Sequence, residues 1–371
     1  MDRDILAVAE CRVMLRSGLG SICEAAMAAV MIAKFSRILI LLLLATLAVG
    51  GVRTVYRNDS QNIALQPLNL DPAHPGQRRV GDLIFLAAWE LGSGNEDFGG
   101  ISALAALPDG RFVGVSDAGT LIGFGLTSDD RTDRPFIAPL PDSQGPDKSF
   151  KDRDSEGIAY DPGSGQFWVS YEARHAIRRF APSFARSNGM RKLTGQHHWP
   201  DNKGVETLVR LHDGRFIAIA ENLEDGEHEG FLFSGDPVES GTAMSRFSFR
   251  PSPGYRVTDG TALPDGRLLL LTRRIGFPKG FSAKLAIVDV SIIQPAASVS
   301  GDVIATLAAP LLVDNMEGIS VTREGTDIII WLISDNNFNI WQRTLVMKFR
   351  LSERGQKKKP EALSAPGFDS L

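Results

Sequence analysis

Acidic residues recur at two fixed places along this chain, and their types suit metal-assisted hydrolysis. One set is Ser102, Glu156, Glu206, Asp259 and Glu317; the other is Asp117, Glu172, Glu221, Arg273 and Asp335. A hard divalent cation takes several carboxylate and carbonyl oxygens, so Glu156, Glu206, Asp259 and Glu317 are the candidate ligands and Ca²⁺ the first candidate ion. Such an ion polarises an ester or phosphoryl oxygen and acidifies a bound water. Glu172 or His175 would then act as base, and Arg273 or Lys203 would steady developing negative charge.

That many like charges in one place raise one another's pKa unless cations balance them. Arg153, Arg174, Lys203, Arg273, Arg274 and Lys279 stand close in sequence and could supply balance, or could receive an anionic ligand group. Taken singly, each acid has a plain structural alternative, capping backbone amides or joining neighbouring segments. His197-His198 is weaker as a metal site, because adjacent strand residues point to opposite faces. No Gly-x-Ser-x-Gly elbow and no His-Glu-x-x-His is present.

The two sets are defined by a repeat. Five segments share one plan, an apolar strand, a turn at Asp-Gly or its substitute, and a second, more apolar strand. They are Ile101–Asp117, Glu156–Glu172, Glu206–Glu221, Asp259–Arg273 and Glu317–Asp335. Asp-Gly between apolar runs signals a hairpin, since Gly supplies φ > 0 without strain. Starts roughly 50 residues apart, with further strands such as Lys284–Val290 and Leu345–Leu351 between them, predict propeller blades. Near-continuous apolar second strands fit sheets covered on both faces. The expected fold is all-β, a propeller of five or six blades. Val80–Leu91 is expected to pair with the C-terminal strands and close the ring, leaving no edge. In a hairpin the start of one strand lies beside the end of the next, so both acidic sets should meet at one channel mouth. The polar stretch Thr127–Asp154 reads as a long loop able to cover that mouth.

The chain has 371 residues, 43% hydrophobic, with a formal net charge of −4. That balance, without a basic patch interleaved with aromatics, excludes a nucleic-acid surface. Lys34 and Arg37 precede the uncharged run Ile38–Val52, which ends at Arg53. The run is about 15 residues against the roughly 20 needed to cross a bilayer, the layout of a signal peptide. Residues 1–50 therefore read as an N-terminal extension and leader, with the start at Met27 or Met31 and cleavage near Gly50. An uncleaved anchor is the alternative, and would be the only membrane contact. Residues 80–351 are the domain and 352–371 a flexible tail. Cys11 and Cys23 both precede the domain, which has no thiol or disulfide chemistry. The expected setting is periplasmic or secreted, the expected state a monomer, and the expected partner a small-molecule substrate or ligand.

Asp154-Ser-Glu-Gly-Ile-Ala, Asn202-Lys-Gly-Val-Glu-Thr-Leu, Thr258-Asp-Gly-Thr-Ala-Leu-Pro-Asp-Gly-Arg and Asn315-Met-Glu-Gly-Ile-Ser occur in order at blade spacing, with Asp117-Ala-Gly before them. Through these elements residues 80–351 resemble the phytase-like domain family, also described as esterase-like activity of phytase. The resemblance implies an exported bacterial β-propeller with hydrolytic activity on esters or phosphoesters. Acidic residues dominate here, unlike the lysine- and arginine-crowded sites of calcium-dependent propeller phytases, which points away from phytate. A non-catalytic binding propeller and a lactonase-like hydrolase are the competing functions, since one fold hosts unrelated chemistries.

Overall fold

Every repeat forms the inner half of a four- to six-stranded, largely antiparallel sheet in the computed structural model, which describes residues 58–141, 149, 152–193, 199–200 and 202–357. The leader, both cysteines, His197-His198, the middle of the Thr127–Asp154 stretch and the end of the tail lie outside the described residues.

Three strands precede the first repeat: β1 (Ala64–Pro67), β2 (Arg79–Val80) and β3 (Leu83–Gly92). Blade 1 comprises β4 (Ile101–Ala106), β5 (Arg111–Ser116), β6 (Thr120–Leu126) and β7 (Thr132–Pro139). Blade 2 comprises β8 (Ser155–Tyr160), β9 (Phe167–Tyr171), β10 (Ala176–Phe180) and β11 (Ser187–Lys192). Blade 3 comprises β12 (Val205–Arg210), β13 (Phe216–Glu224), β14 (Glu227–Phe233) and β15 (Met244–Arg250). Blade 4 begins with β16 (Arg256–Ala262), β17 (Leu268–Gly276) and β18 (Gly280–Val288). Next in the chain, β19 (Ser298–Ser300) pairs parallel with β15 of blade 3, and β20 (Asp302–Ala308) completes blade 4. Blade 5 contains β21 (Met316–Glu324), β22 (Asp327–Ser334) and β23 (Thr344–Leu351), then β3 and β1.

There are five blades, and β4, β8, β12, β16 and β21 are neighbours in a ring around the axis. The closure expected from Val80–Leu91 is present: β3 pairs antiparallel with β23, Leu83 opposite Leu351 and Leu91 opposite Thr344. The N-terminal strand thus completes the C-terminal blade and covers its edge.

The apolar second strands are explained by blade stacking. Ile328, Ile330 and Leu332 of β22 face blade 4, while Ile329, Trp331 and Ile333 face blade 1. A strand alternates its side chains between two faces, and here both faces are core. Five apolar clusters fill the five blade junctions. In one, the rings of Trp331 and Phe112 meet edge to face at 4.8 Å.

The stretch Thr127–Asp154 is not one loop. It contains β7, the outermost strand of blade 1, whose residues are mostly half-exposed. An outer strand buries too little on its solvent side to show an apolar run, which hid it among Asp, Arg and Pro.

Candidate active site at the acidic mouth

A repeated irregularity builds the mouth. In all five innermost strands the register with the next strand shifts at one place, between Ile101 and Ala103, Ser155 and Ile158, Val205 and Thr207, Val257 and Asp259, and Met316 and Gly318. A bulge leaves its extra residue unpaired and re-aims its side chain. The residues so released are Ser102, Glu156, Glu206, Thr258 and Glu317. On the following strands, Asp117, Glu172 and Asp335 come directly after the last residue, and Glu221 and Arg273 stand near the ends of β13 and β17. In four blades the amide of that residue donates to the carbonyl two positions before the bulge: Asp117 to Gly100 (3.0 Å), Glu172 to Asp154 (2.9 Å), Glu221 to Gly204 (2.8 Å) and Asp335 to Asn315 (2.9 Å).

The two sets meet around a cavity of about 180 Å³ lined by Ser102, Asp117, Glu156, Glu172, Glu206, Glu221, Arg273, Glu317, Asp335 and Asn337. Seven carboxylates and one guanidinium therefore share a space the size of a few waters. Two overlapping triads stand out. Carboxylate oxygens of Asp154, Glu156 and Glu172 lie within 4.8 Å of one another, and so do those of Glu172, Glu206 and Glu221. Glu172 belongs to both.

Crowding and dehydration shift the acids upward together. Loss of solvent, then the charges of Glu206, Asp154 and Glu172, push Glu156 well above the usual carboxylate range. Loss of solvent and the Glu317 and Glu221 carboxylates do the same to Glu206. Burial first raises Asp154 to about 6, Glu172 to about 7, Asp335 to about 7 and Glu317 to about 8. Burial also raises Asp117, against a hydrogen bond from Ser116.

The expected basic groups divide. Arg273 reaches from blade 4 to blade 5, 3.1 Å from Glu317 Oε1, and its Nη1 also donates to Asn315 Oδ1. Lys203 forms an ion pair with Glu221. Arg174 binds Asp152 with both ends of its fork, at 2.8 and 3.0 Å. Arg274 lies over the Tyr255 ring at 4.8 Å. Arg153 leans on Gly119, with its buried Nε unpartnered.

Two candidate site residues are placed differently from the sequence reading. Asp259 does not line the cavity: its Oδ1 accepts from the amide of Gly260 (2.7 Å) and its Oδ2 from that of Ile319 (2.9 Å), tying blade 4 to blade 5. The bulge residue of blade 4 is Thr258, one position away, whose hydroxyl donates to the Met316 carbonyl at 3.2 Å, and blade 4 reaches the lining through Arg273 instead. His175 is also outside the lining. It sits in the β9–β10 turn at φ 46°, with its ring edge-on to Trp199 at 5.5 Å. Glu172, read as a base, is the shared member of both triads instead.

Asp154 and Asn337 were missed. Asp154 stands two residues before Glu156, and its position inside the quoted Asp-Ser-Glu element was the available signal. Asn337 follows Asp335, whose Oδ1 accepts from its amide at 2.6 Å. Asn337 and Phe338 both have positive φ, 47° and 49°. For a bulky residue such as Phe338 that is a strained backbone. The same loop is strapped to blade 1, where Asn336 Oδ1 accepts from the Gly100 amide at 3.1 Å.

Fold and mouth together define a five-bladed β-propeller with an anionic channel entrance. The chain belongs to the phytase-like family described as esterase-like activity of phytase, whose family model matches residues 96–338. No curated protein gives a significant match. Among solved structures, the chain is similar to a luciferin-regenerating enzyme, at 9% identity and TM-score 0.40 over 69% of this chain and 95% of that one. It is also similar to the Malassezia sympodialis allergen Mala s 1, at 12% identity and TM-score 0.40 over 74% and 91%. A third likeness is to the β-propeller domain of Myceliophteria thermophila Cps50 (Swd1), at 12% identity and TM-score 0.34 over 65% and 67%. At these levels the likenesses carry no functional argument.

Proposed function

We propose that this propeller is a divalent-metal-assisted hydrolase of an ester or phosphoester, acting at the acidic mouth. One observation carries the reading: two carboxylate triads share Glu172, and four of their five residues line one small cavity, with Asp154 directly behind Glu156 and Glu172. Asp154 Oδ2 is buried beside the cavity-lining Glu156 and Glu172 without a hydrogen-bond partner. An orphaned buried carboxylate oxygen is costly, and a cation would satisfy it. The donor set is all carboxylate, with neither His nor Cys, and suits a hard ion such as Ca²⁺ or Mg²⁺. Asp154, Glu156, Glu172, Glu206 and Glu221 would hold it.

When bound, such an ion supplies Lewis-acid polarisation and a more acidic water. The chain's own groups provide the rest. Arg273 offers fixed positive charge beside Glu317 for an anion forming at the mouth. Asp335 and Glu317, at about 7 and about 8, hold or release a proton near neutral pH, as acid–base catalysis needs. Asn337 and Ser102 add neutral polar contacts in the lining.

The pairs Arg273–Glu317 and Lys203–Glu221 neutralise part of the ring without any ion, which favours a binding propeller as the second reading. Hydrolysis of p-nitrophenyl phosphate, p-nitrophenyl acetate and a sugar lactone, each with EDTA and with Ca²⁺ or Mg²⁺, separates the two. Metal-dependent turnover lost in Glu206→Gln supports the hydrolase. Stabilisation by metal with no turnover of any of the three supports the binder.

The setting we propose is periplasmic or secreted, from the leader pattern between Lys34 and Arg53. Among the described residues no helix is long and apolar enough to cross a membrane. The ring closes within one chain, through β3 on β23, so a monomer is the proposed state.

A further inference from the structure

The opposite end of the channel holds a second cavity, larger and of different character. Its volume is about 490 Å³, and it is lined by the far ends of all five innermost strands, β4, β8, β12, β16 and β21. Glu206 stands near the start of β12 at the acidic mouth and Arg210 closes the same strand at this one, about 13 Å away at strand rise. Half-exposed Ala106, Leu107, Ala262 and Val321 supply apolar surface beside exposed strand backbone, and among the described residues no Asp or Glu occurs in the lining. The polar groups are cations and neutral donors.

Arg210 shares one Nη with Asp161 at 3.3 Å. Among the described residues, the Arg323 guanidinium and the Tyr160 hydroxyl have no hydrogen-bond or ion-pair partner, although both line the cavity. Ser320 Oγ accepts from the Ala106 amide at 3.0 Å, which leaves its own proton to donate. His212 Nε2 donates to the Leu263 carbonyl at 3.0 Å in its neutral form, leaving Nδ1 open. Pockets of this size, apolar with a few convergent polar groups, are the usual form of small-molecule sites.

We infer that this wide mouth binds a small anion carrying an apolar body, such as a medium-chain carboxylate, independently of the acidic mouth. The apolar body fills the channel between the strand ends. The anionic end meets Arg323, Tyr160 and Arg210. Acids line one mouth, whereas Arg323 and the Asp161-paired Arg210 line the other, so the two ends favour ligands of opposite charge.

Titration calorimetry on the protein in EDTA, with hexanoate and with inorganic phosphate as probes, tests this. Hexanoate should bind with a Kd of about 1 mM or tighter, and phosphate more weakly. The Arg323→Gln/Tyr160→Phe variant should bind hexanoate about tenfold more weakly, since a charge-assisted hydrogen bond is lost. Glu206→Gln should bind it as the parent does. Absence of hexanoate binding, unchanged affinity in the double variant, or phosphate binding as tightly as hexanoate would overturn the inference. A loss caused by Glu206→Gln instead would place the ligand at the acidic mouth and overturn it equally. Because this test involves neither metal nor turnover, it stands apart from the hydrolase proposal.

Discussion

The amide of Gly204, in blade 3, donates to Oε1 of Glu172, in blade 2, at 3.3 Å, and so fixes the one carboxylate that both triads share. The approach requires glycine. A Cβ at position 204 would lie 2.5 Å from Glu172 Cα and 2.8 Å from its carbonyl oxygen. Gly204→Ala should therefore push blade 2 away and lower stability by about 1–3 kcal/mol, as overpacking does. Stabilisation by Ca²⁺ should fall in the same variant. Thermal unfolding with and without Ca²⁺ checks both, and an unchanged metal response would detach Glu172 from the ion site.

Stability of the metal-free protein should fall as pH rises. Asp154, Glu172, Asp335 and Glu317 have folded-state pKa values raised to about 6, 7, 7 and 8, above ordinary carboxylates. At these four groups the folded state binds more protons than the unfolded state, so their contribution is full below about pH 4 and is lost progressively up to about pH 8, whereas groups such as Asp152 and His228, shifted downward, act the other way mainly below about pH 6. A bound cation favours the ionised carboxylates, so the Ca²⁺-induced rise in Tm should be larger at the alkaline end of that window. Melting curves in EDTA and in Ca²⁺ across the window measure this; a metal-free Tm that climbs with pH contradicts it.

Asp259 should behave as a structural residue. Asp259→Ala leaves the amides of Gly260 and Ile319 without their acceptor, at a cost of about 1–3 kcal/mol for each buried donor. The stabilisation conferred by Ca²⁺ should be the same as in the parent. A selective loss of the metal response would return Asp259 to the ligand set.

Removing Arg273 should separate charge stabilisation from metal binding. Arg273→Gln takes away the one cation that, among the described residues, lines the mouth cavity. If Arg273 steadies developing negative charge, kcat should drop about 10²-fold, while the Ca²⁺-induced rise in Tm is kept or increased. Steady-state kinetics beside melting curves read the two effects separately, and full activity in the variant contradicts the role given to Arg273.

The two acidic columns were legible because hairpin turns give each repeat an origin from which residues can be counted. A propeller of five or six blades and the closure of Val80–Leu91 on the C-terminal strands followed from the same repeat, and the structure has five. Bulges do not show in such counting. Asp259-Gly260 imitates Glu156-Gly157 and Glu317-Gly318, so the eye aligns Asp259 with the glutamates, whereas the extra residue of β16 is Thr258. The outer strands were the least legible, as in β7, because half their surface faces water. His175 looked useful by sequence proximity to Glu172, but the turn that joins them directs its ring to Trp199. Asp154 became visible as a site residue only when the fold placed its carboxylate against those of Glu156 and Glu172.

The central claim is that the shared-carboxylate cavity is a cation site, and calorimetric titration of Ca²⁺ and Mg²⁺ into the EDTA-stripped, dialysed protein tests it most directly. The account predicts saturable binding that is abolished by Glu172→Gln and retained in Asp259→Asn. A hundredfold excess over Kd should raise unfolding stability by about 2.7 kcal/mol. No binding of either ion, or binding that survives Glu172→Gln unchanged, would contradict it and leave the acids as paired structural groups.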